Sequence, residues 1–280
     1  MKIGLFNINM HCCAEPEAMG RVAVAAEQAG FDSVWTGEHV VLPEPQVPPS
    51  PVPASTPMLD PAVALSYIAA VTQRVQLGTG IIILPQRNPL VLAKELASVD
   101  VVSNGRLIFG IGVGYLDKEF EALGITMDDR ANRSLEYMEA MRAIWEMDNP
   151  EYHGAYVDFA GVEAHPRPIQ ARVPMVMGGH SAPAFRRSVT HSQGWYGFAL
   201  DQDGTRACID GLAKAGARYE RPADLGELEI SVTPRKRCTP ELVEEFAEMG
   251  VDRLILLPRG DTVDDWLAFV DDIGSTVINA

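Results

Sequence analysis

The sequence predicts an α/β protein folded as a closed (βα)8 TIM barrel, with an insertion after the fourth strand. Its 280 residues are close to the roughly 250 that such a barrel requires. Predicted strands and helices alternate along the whole chain, which indicates parallel βαβ units rather than separate α and β blocks. The strands are apolar on both faces, as expected when neither face of a parallel sheet meets water. We therefore expect a single barrel domain over residues 1–280.

The first half of the chain supplies four strands and three of the helices that follow them. The strands are predicted at residues 2–8, 33–36, 75–82 and 106–111, and the helices at residues 15–29, 60–71 and 89–102. Gly30 follows the first helix, where glycine commonly ends helices. Residues 43–61 contain eight prolines, which exclude a helix or an inner strand. A loop of this length is more often a functional lid than a spacer, although an inert loop stays open.

The second half begins with residues 114–173, a stretch longer than one crossover, which we interpret as an insertion that carries a barrel helix at residues 130–147. Apolar residues recur there at helical spacing and favour core packing over a cofactor site. They are Leu135, Met138, Met141 and Trp145. The remaining strands are predicted at residues 174–177, 195–198, 228–232 and 253–257, and their helices at residues 182–191, 204–217, 240–248 and 263–273.

Composition argues against several kinds of partner. The 23 basic and 38 acidic residues give a net charge of −15, which repels nucleic acid and anionic membrane surfaces. The longest apolar run, residues 77–84, is far shorter than the roughly 20 residues of a membrane helix. No secretory signal follows Met1, so we expect a cytoplasmic protein. No cysteine pair has CxxC spacing, and no HxH or HExxH motif occurs, so we expect no metal site.

The carboxyl ends of the predicted strands define the candidate site, because barrel enzymes place their active sites there. Glu38 and His39 directly follow the second strand. Histidine donates and accepts protons near neutral pH, so we predict that His39 and Glu38 are catalytic, with His39 moving the proton and Glu38 orienting the ring or a bound cofactor. A purely structural histidine and a metal site shared with His11 are the alternatives.

A glycine turn follows the fifth strand. Gly178, Gly179, His180 and Ser181 precede a helix whose start is indicated by Ser181 and by the proline two residues later. Unpaired amides and the helix dipole favour an anion at such a terminus, and a phosphate-bearing cofactor would fit. Tight turning alone is an equal alternative, and phosphate sites in barrels more often follow strands seven and eight.

The stretch RVQLGTGIIILPQRNPLVLAKELASVDVVSNGRLIFGIGVGY at residues 74–115 resembles the luciferase-like monooxygenase superfamily, specifically its F420-dependent oxidoreductases. Four further stretches share the resemblance, which covers residues 1–198. They are AEQAGFDSVWTGEHV (26–40), PMLDP (57–61), EFEALGI (119–125) and VPMVMGGHS (173–181). The resemblance implies a barrel that binds coenzyme F420, a deazaflavin that carries hydride, or FMN in the flavin-using branch.

The resemblance also assigns roles to residues. It implies a cis peptide bond between Gly80 and Ile81, in a bulge behind the cofactor ring. Tyr115 stands where relatives often have tryptophan, which puts the substrate pocket in question. The implied cofactor-binding residues are Glu38, His39, Thr79, Gly80, Ile81, Gly112, Val113, Gly114, Tyr115, Gly178, Gly179, His180 and Ser181. Arg130 and Arg133 match a family Arg-x-x-Arg, but we favour helix-surface ion pairs with Asp128, Asp129 or Glu136.

Together these observations predict an F420-dependent oxidoreductase that transfers a hydride between the deazaflavin and a small organic substrate, with His39 as proton donor or acceptor. The first alternative is an FMN-dependent luciferase-like monooxygenase, because both branches share the same barrel. The second is a barrel that binds a flavin without turning it over. Relatives lead us to expect a homodimer.

Overall fold

The computed structural model of the protein describes residues 1–279 and shows a closed barrel of eight parallel strands surrounded by helices. The strands are β1 (Lys2–Leu5), β2 (Ser33–Thr36), β3 (Gln76–Thr79) with its continuation β4 (Ile82–Ile83), β5 (Leu107–Gly112), the two short strands β6 (Tyr152–His153) and β7 (Asp158–Phe159), then β8 (Met175–Gly178), β9 (Gly194–Leu200), β10 (Glu229–Pro234) and β11 (Arg253–Leu256). The barrel order is β3-β2-β1-β11-β10-β9-β8-β5, and β5 pairs again with β3. This closure confirms the predicted TIM barrel.

Helices cover the outside of the barrel. Within the described residues they are α1 (Pro16–Ala29), α2 (Pro61–Val71), α3 (Pro89–Val102), α4 (Asp117–Ala122), α5 (Arg130–Glu146), α6 (Ala182–His191), α7 (Gln202–Arg218), α8 (Pro240–Glu248) and α9 (Val263–Ile273). Their ends follow from local chemistry. The Asp60 carboxylate accepts hydrogen bonds from the first amides of α2, and Gly30 ends α1 with a φ of 93°, a left-handed conformation that suits glycine. Every one of these helices is too short or too polar to span a membrane.

The insertion after β5, the fourth strand of the barrel, contains more secondary structure than the sequence predicted. The helix α4 and the antiparallel pair β6–β7 were missed, because each is too short to show a periodic pattern. The longer helix α5 packs against α3 on the barrel wall, as expected for a barrel helix. Met138, Met141 and Trp145 are buried, which confirms their assignment to the core.

The interior of the barrel is filled by an inner cluster of six buried side chains. The buried guanidinium of Arg253 lies 5.6 Å from the ring of Trp35 and donates to Ser33 and Glu229, so this buried charge is paired. Since the interior is packed, a ligand can bind only at an end of the barrel. The inner cluster consists of Phe6, Trp35, Ile108, Val176, Tyr196 and Ile255.

The proline-rich segment 43–61 is free of helix and paired strand up to residue 60, as predicted. Its last part is tied to the loop after β1. Pro57 accepts a hydrogen bond from the amide of His11 at 3.1 Å, and the amide of Leu59 donates to Asn9 at 3.0 Å. The segment therefore lies beside the carboxyl end of β1, where the predicted lid would be placed.

Candidate active site

Glu38 and His39 emerge together from β2, but their side chains have different surroundings. Glu38 is buried, and its carboxylate accepts hydrogen bonds from the amide of Ile83 at 2.5 Å and from the guanidinium of Arg87. Burial raises the pKa of Glu38, and Arg87 and the Ile83 amide oppose this effect. Arg87 is itself shared with Asp60 at 2.8 Å. Glu38 thus connects β2 to the segment after β4, and both of its oxygens are engaged by the protein.

His39 is held by a residue that the sequence analysis did not single out. Its Nδ1 lies 2.9 Å from Oε2 of Glu119, and the other carboxylate oxygen accepts the amide of Val40 at 2.7 Å. Glu119 is fully buried, and the His39 side chain is 9% exposed. A carboxylate only accepts hydrogen bonds, so Nδ1 carries the proton and Nε2 is left as an acceptor.

Tyr115 covers this histidine on the solvent side. Its hydroxyl lies 3.3 Å from Nε2 of His39, and the two rings meet edge to face with centroids 5.7 Å apart. Burial of the hydroxyl, together with the nearby Glu119, raises the pKa of Tyr115, so the phenol stays protonated at neutral pH. The Tyr115 residue is 48% exposed. Glu119, His39 and Tyr115 therefore form a chain from the buried carboxylate to the mouth of the barrel.

The third strand is bulged between β3 and β4, and the Gly80–Ile81 peptide bond is cis, as the resemblance implied. The Ile81 side chain lies above two glycines of β5. A Cβ added to Gly112 would stand 2.0 Å from Cδ1 of Ile81. The Thr79 hydroxyl exchanges hydrogen bonds of 2.8 Å with the N–H and the C=O of Gly110. Thr79 is fully buried, so its hydroxyl holds the bulge against β5 and is not free for a cofactor.

The glycine turn has the geometry that the sequence predicted for a helix start. The Ser181 hydroxyl caps α6 by accepting the amide of Ala184 at 3.4 Å, and Gly179 has a φ of 121°. His180 accepts the amide of Phe198 through Nε2 at 3.1 Å. Burial, with a contribution from Arg235, lowers the pKa of His180, so this imidazole is neutral.

Two buried side chains in elements that follow barrel strands have polar atoms without hydrogen-bond partners among the described residues. Arg187 in α6 is buried, and its Nε has no hydrogen-bond partner among the described residues. Burial, with the neighbouring cations Arg130 and Arg186, lowers the pKa of Arg187. A phosphate at this place would supply the missing acceptor and the missing negative charge. Both amide atoms of Gln86, just after β4, are also buried and unpaired.

The interpretation of Arg130 and Arg133 as members of surface ion pairs is wrong. Arg130 donates to the carbonyl of Gly114 at 3.3 Å and to that of Met127 at 3.0 Å. Arg133 lies over the ring of Tyr156 at 5.4 Å. Arg130 thus supports the loop after β5, which carries Tyr115. The sequence could not show this role, because the acceptors are backbone carbonyls that no sequence pattern reveals.

The cysteines contribute no reactive group to this site. Burial raises the pKa of Cys13 and of Cys12 beside it, which keeps both thiols protonated. Among residues 1–279, no group of three or more metal-ligating side chains comes together. The candidate site therefore combines the hydrogen-bonded residues Glu119, His39 and Tyr115, the bulge at Gly80 and Ile81, and the glycine turn.

Replacing Glu119 with alanine should destabilise the fold by about 2 to 4 kcal/mol, because the Nδ1 proton of His39 and the amide of Val40 lose their buried acceptor. Glu119→Gln retains one acceptor and should cost less. The measurement is the free energy of unfolding in urea. Glu121→Ala is the matched control on the same helix, since Glu121 is exposed and its carboxylate pairs with Lys118 alone among residues 1–279; its effect should stay within about 0.5 kcal/mol. Equal losses for Glu119→Ala and the control would contradict the buried chain.

Comparison with known proteins finds similar sequences and solved structures with the same fold. The model of the luciferase-like monooxygenase family matches residues 7–252. An uncharacterized protein of Mycobacterium tuberculosis is 29% identical over 269 residues, which cover 93% of this chain and 93% of that protein. The FMNH2-dependent dimethylsulfone monooxygenase of Pseudomonas putida is 30% identical over 164 residues, 56% of this chain and 44% of that enzyme.

Among solved structures, an F420-dependent secondary alcohol dehydrogenase in complex with an F420–acetone adduct superimposes with a TM-score of 0.80. The two sequences are 16% identical, and the match covers 99% of this chain and 98% of that one. At this identity the similarity concerns the fold, so the cofactor and the reaction have to be argued from the site itself.

Proposed function

Because this chain belongs to the luciferase-like monooxygenase family, whose members are F420- or flavin-dependent oxidoreductases, we propose that it is an F420-dependent oxidoreductase. It would transfer a hydride between the deazaflavin and a small organic substrate. The observation that carries this proposal is the chain Glu119–His39–Tyr115 at the barrel mouth. Hydride transfer to or from a carbon that bears oxygen requires a proton to move at that oxygen. The hydrogen-bonded residues Glu119, His39 and Tyr115 can accept or donate that proton.

When bound, the deazaflavin supplies or accepts the hydride. Tyr115, His39 and Glu119 accept, pass on and stabilise the proton. In oxidation of an alcohol, the Tyr115 oxygen accepts the substrate proton while its own proton passes to Nε2 of His39, and the Glu119 carboxylate stabilises the positive charge that the imidazole gains. Reduction of a carbonyl is the same path in reverse. Glu38 has a positioning role in this scheme, since Arg87 and the Ile83 amide occupy its oxygens.

The residues around the mouth suit such a cofactor. Gly80 and Ile81 would support one face of the ring, and Gly112, Val113, Gly114 and Tyr115 would border it. The turn of Gly178, Gly179, His180 and Ser181 would hold the phosphate, with Arg187 and Arg130 beside it. The unpaired Nε of Arg187 supports this placement, because a buried donor without a partner is costly unless a ligand supplies one.

The second candidate is an FMN-dependent monooxygenase. It is favoured by the 30% identity to the FMNH2-dependent dimethylsulfone monooxygenase and by the 31% identity over 153 residues to the oxygenase component of a flavin-dependent trigonelline monooxygenase from Acinetobacter baylyi. The chain of Glu119, His39 and Tyr115 favours the first candidate. Oxygen activation by a reduced flavin does not by itself require a buried carboxylate to hold an imidazole under a phenol.

Cofactor titration distinguishes the candidates. We expect F420 to give a saturable change in the absorbance spectrum of the cofactor when the protein is added, and FMN to give none under the same conditions. Arg187→Met removes the unpaired guanidinium and should weaken F420 binding by about tenfold or more, as the loss of a charge-assisted contact predicts. Saturation by FMN alone would transfer the proposal to the monooxygenase, and saturation without turnover would favour the binding protein.

The homodimer and the lid function of residues 43–61 stay predictions. Apolar side chains exposed on α2 and α3 offer a surface that a second copy could cover. They are Val63, Tyr67, Val71, Val91 and Val102.

A further inference from the structure

A second feature of the barrel mouth lies on the side of the last three strands. A cavity of about 590 Å³ opens there, between the end of β9, the segments that follow β10 and β11, and one face of α9. Four cationic residues line it, and three of them are consecutive. They are Arg235, Lys236, Arg237 and Arg259. The cavity is at the carboxyl ends of the strands, so it faces the same side of the protein as His39.

The cavity carries a positive excess in a protein whose net charge is −15. Two acidic residues, Asp265 and Asp272, also line it. Asp272 pairs with Arg237 at 2.9 Å, and Asp265 accepts the amide and the hydroxyl of Thr262 at the start of α9. The acidic groups are therefore engaged, and they balance at most half of the cations.

The other cations are available to a ligand. The backbone amide of Arg235 donates to Leu200 at 2.9 Å, and its Nε donates to the carbonyl of Ala199, which fixes the stem of this side chain. In the range 1–279, the outer guanidinium nitrogens of Arg235, the ammonium of Lys236 and the guanidinium of Arg259 form no hydrogen bond or ion pair with the protein. An anion placed between these three cations would interact favourably with each of them.

The cavity also adjoins the glycine turn. Phe198 lines the cavity, and its amide donates to Nε2 of His180. Arg235 is near enough to His180 to contribute to the lowered pKa of that imidazole, after burial. A ligand in the cavity would thus lie next to the turn and next to Phe198, whose ring is 5.4 Å from that of Phe6 at the top of the inner cluster.

We propose that this cavity binds an anionic group of the phosphate or carboxylate class, held by Arg235, Lys236 and Arg259. In barrel enzymes the loops after strands seven and eight frequently form an anion site. These three residues follow β10 and β11, which are the seventh and eighth strands of this barrel. The anion belongs either to the substrate or to the acidic tail of the cofactor, and this assignment of its source rests on the proposed function. Binding of the anion itself does not.

Calorimetric titration of the full chain without cofactor tests the proposal, with inorganic phosphate as the probe in a buffer of low ionic strength. We expect saturable binding by the wild-type protein and at least about tenfold weaker binding by the double variant Lys236→Gln/Arg259→Gln, because exposed cations each contribute modestly and add together around one anion. The matched control is Arg206→Gln/Lys214→Gln, which removes two cations from exposed positions of α7. It should bind phosphate as the wild type does.

Repeating the titration in the presence of saturating F420 identifies the source of the anion, when only the phosphate binding that the double variant Lys236→Gln/Arg259→Gln removes is considered. If F420 leaves that binding unchanged, the cavity is assigned to the substrate, and if F420 competes with it, the cavity is assigned to the tail of the cofactor. A protein that binds phosphate but not F420 would disprove the proposed cofactor and leave the anion site standing. Absence of saturable phosphate binding by the wild type, or equal affinity of the two double variants, would overturn the inference.

Discussion

Replacement of His39 by alanine is expected to lower kcat by about 10²- to 10⁴-fold, the usual contribution of a positioned acid or base, without weakening F420 binding. In the proposed mechanism, the imidazole is the group that receives the proton passed on from the Tyr115 hydroxyl. Without it, the hydroxyl of Tyr115 has no partner at 3.3 Å to take its proton. The measurement is deazaflavin-dependent turnover together with the dissociation constant of F420.

A second variant separates chemistry from folding. In His39→Asn the side-chain amide can still donate to Glu119, so the buried carboxylate keeps a partner, but the amide cannot carry a proton. Its turnover should fall as far as that of His39→Ala, while its stability stays closer to the wild type. His153→Ala is the control, since His153 is an exposed histidine of β6. Turnover of His39→Asn at the wild-type rate would remove His39 from the mechanism.

The barrel could be predicted from the sequence because its signals are local. The helices α6, α8 and α9 have the predicted bounds, since a capping residue followed by proline, or a capping box, marks each start within a few residues. Strand ends were less certain. The first strand was predicted to residue 8 and ends at Leu5, because apolar residues continue toward the mouth of the barrel after the regular strand ends.

The partners of the site residues could not be predicted, because they depend on contacts between distant parts of the chain. Glu119 is 80 residues from His39, and it lies in a short acidic helix where a buried carboxylate looks like any exposed one. Glu38 was expected to orient the cofactor, yet Arg87, 49 residues later, occupies its carboxylate. In both cases the residue type indicated an acid, and only the fold shows which base it serves.

The cavity lined by cations after β10 and β11 also depends on contacts that the sequence does not show. Three of its cations are consecutive in the sequence, at residues 235–237, but Arg259 comes from the loop after the next strand, so only the fold shows that all four line one cavity. The predicted barrel supplied only the general expectation that anion sites commonly follow strands seven and eight. The glycine turn after β8 was the more visible signal because two glycines and a capping serine lie within four residues there.

The largest expected effect on stability belongs to Gly110→Ala. A Cβ on Gly110 would stand 1.8 Å from the carbonyl oxygen of Thr79, and that oxygen is backbone held by the barrel, so it cannot turn aside as a side chain would. The strands β3 and β5 would have to separate at the point where the Thr79 hydroxyl joins them. We expect a loss of about 3 kcal/mol or more in the free energy of unfolding.

The matched control is Gly216→Ala in α7, where an added Cβ meets no atom within 4 Å. Alanine there should stabilise the protein by up to about 1 kcal/mol, because glycine is unfavourable inside a helix. Since Gly110 also faces the Ile81 side chain, any folded Gly110→Ala protein should bind the cofactor more weakly, whereas Gly216→Ala should bind it normally. Urea unfolding and cofactor titration of the two variants measure both effects. A Gly110→Ala protein as stable as Gly216→Ala would mean that β3 and β5 do not approach each other as closely as the bulge requires.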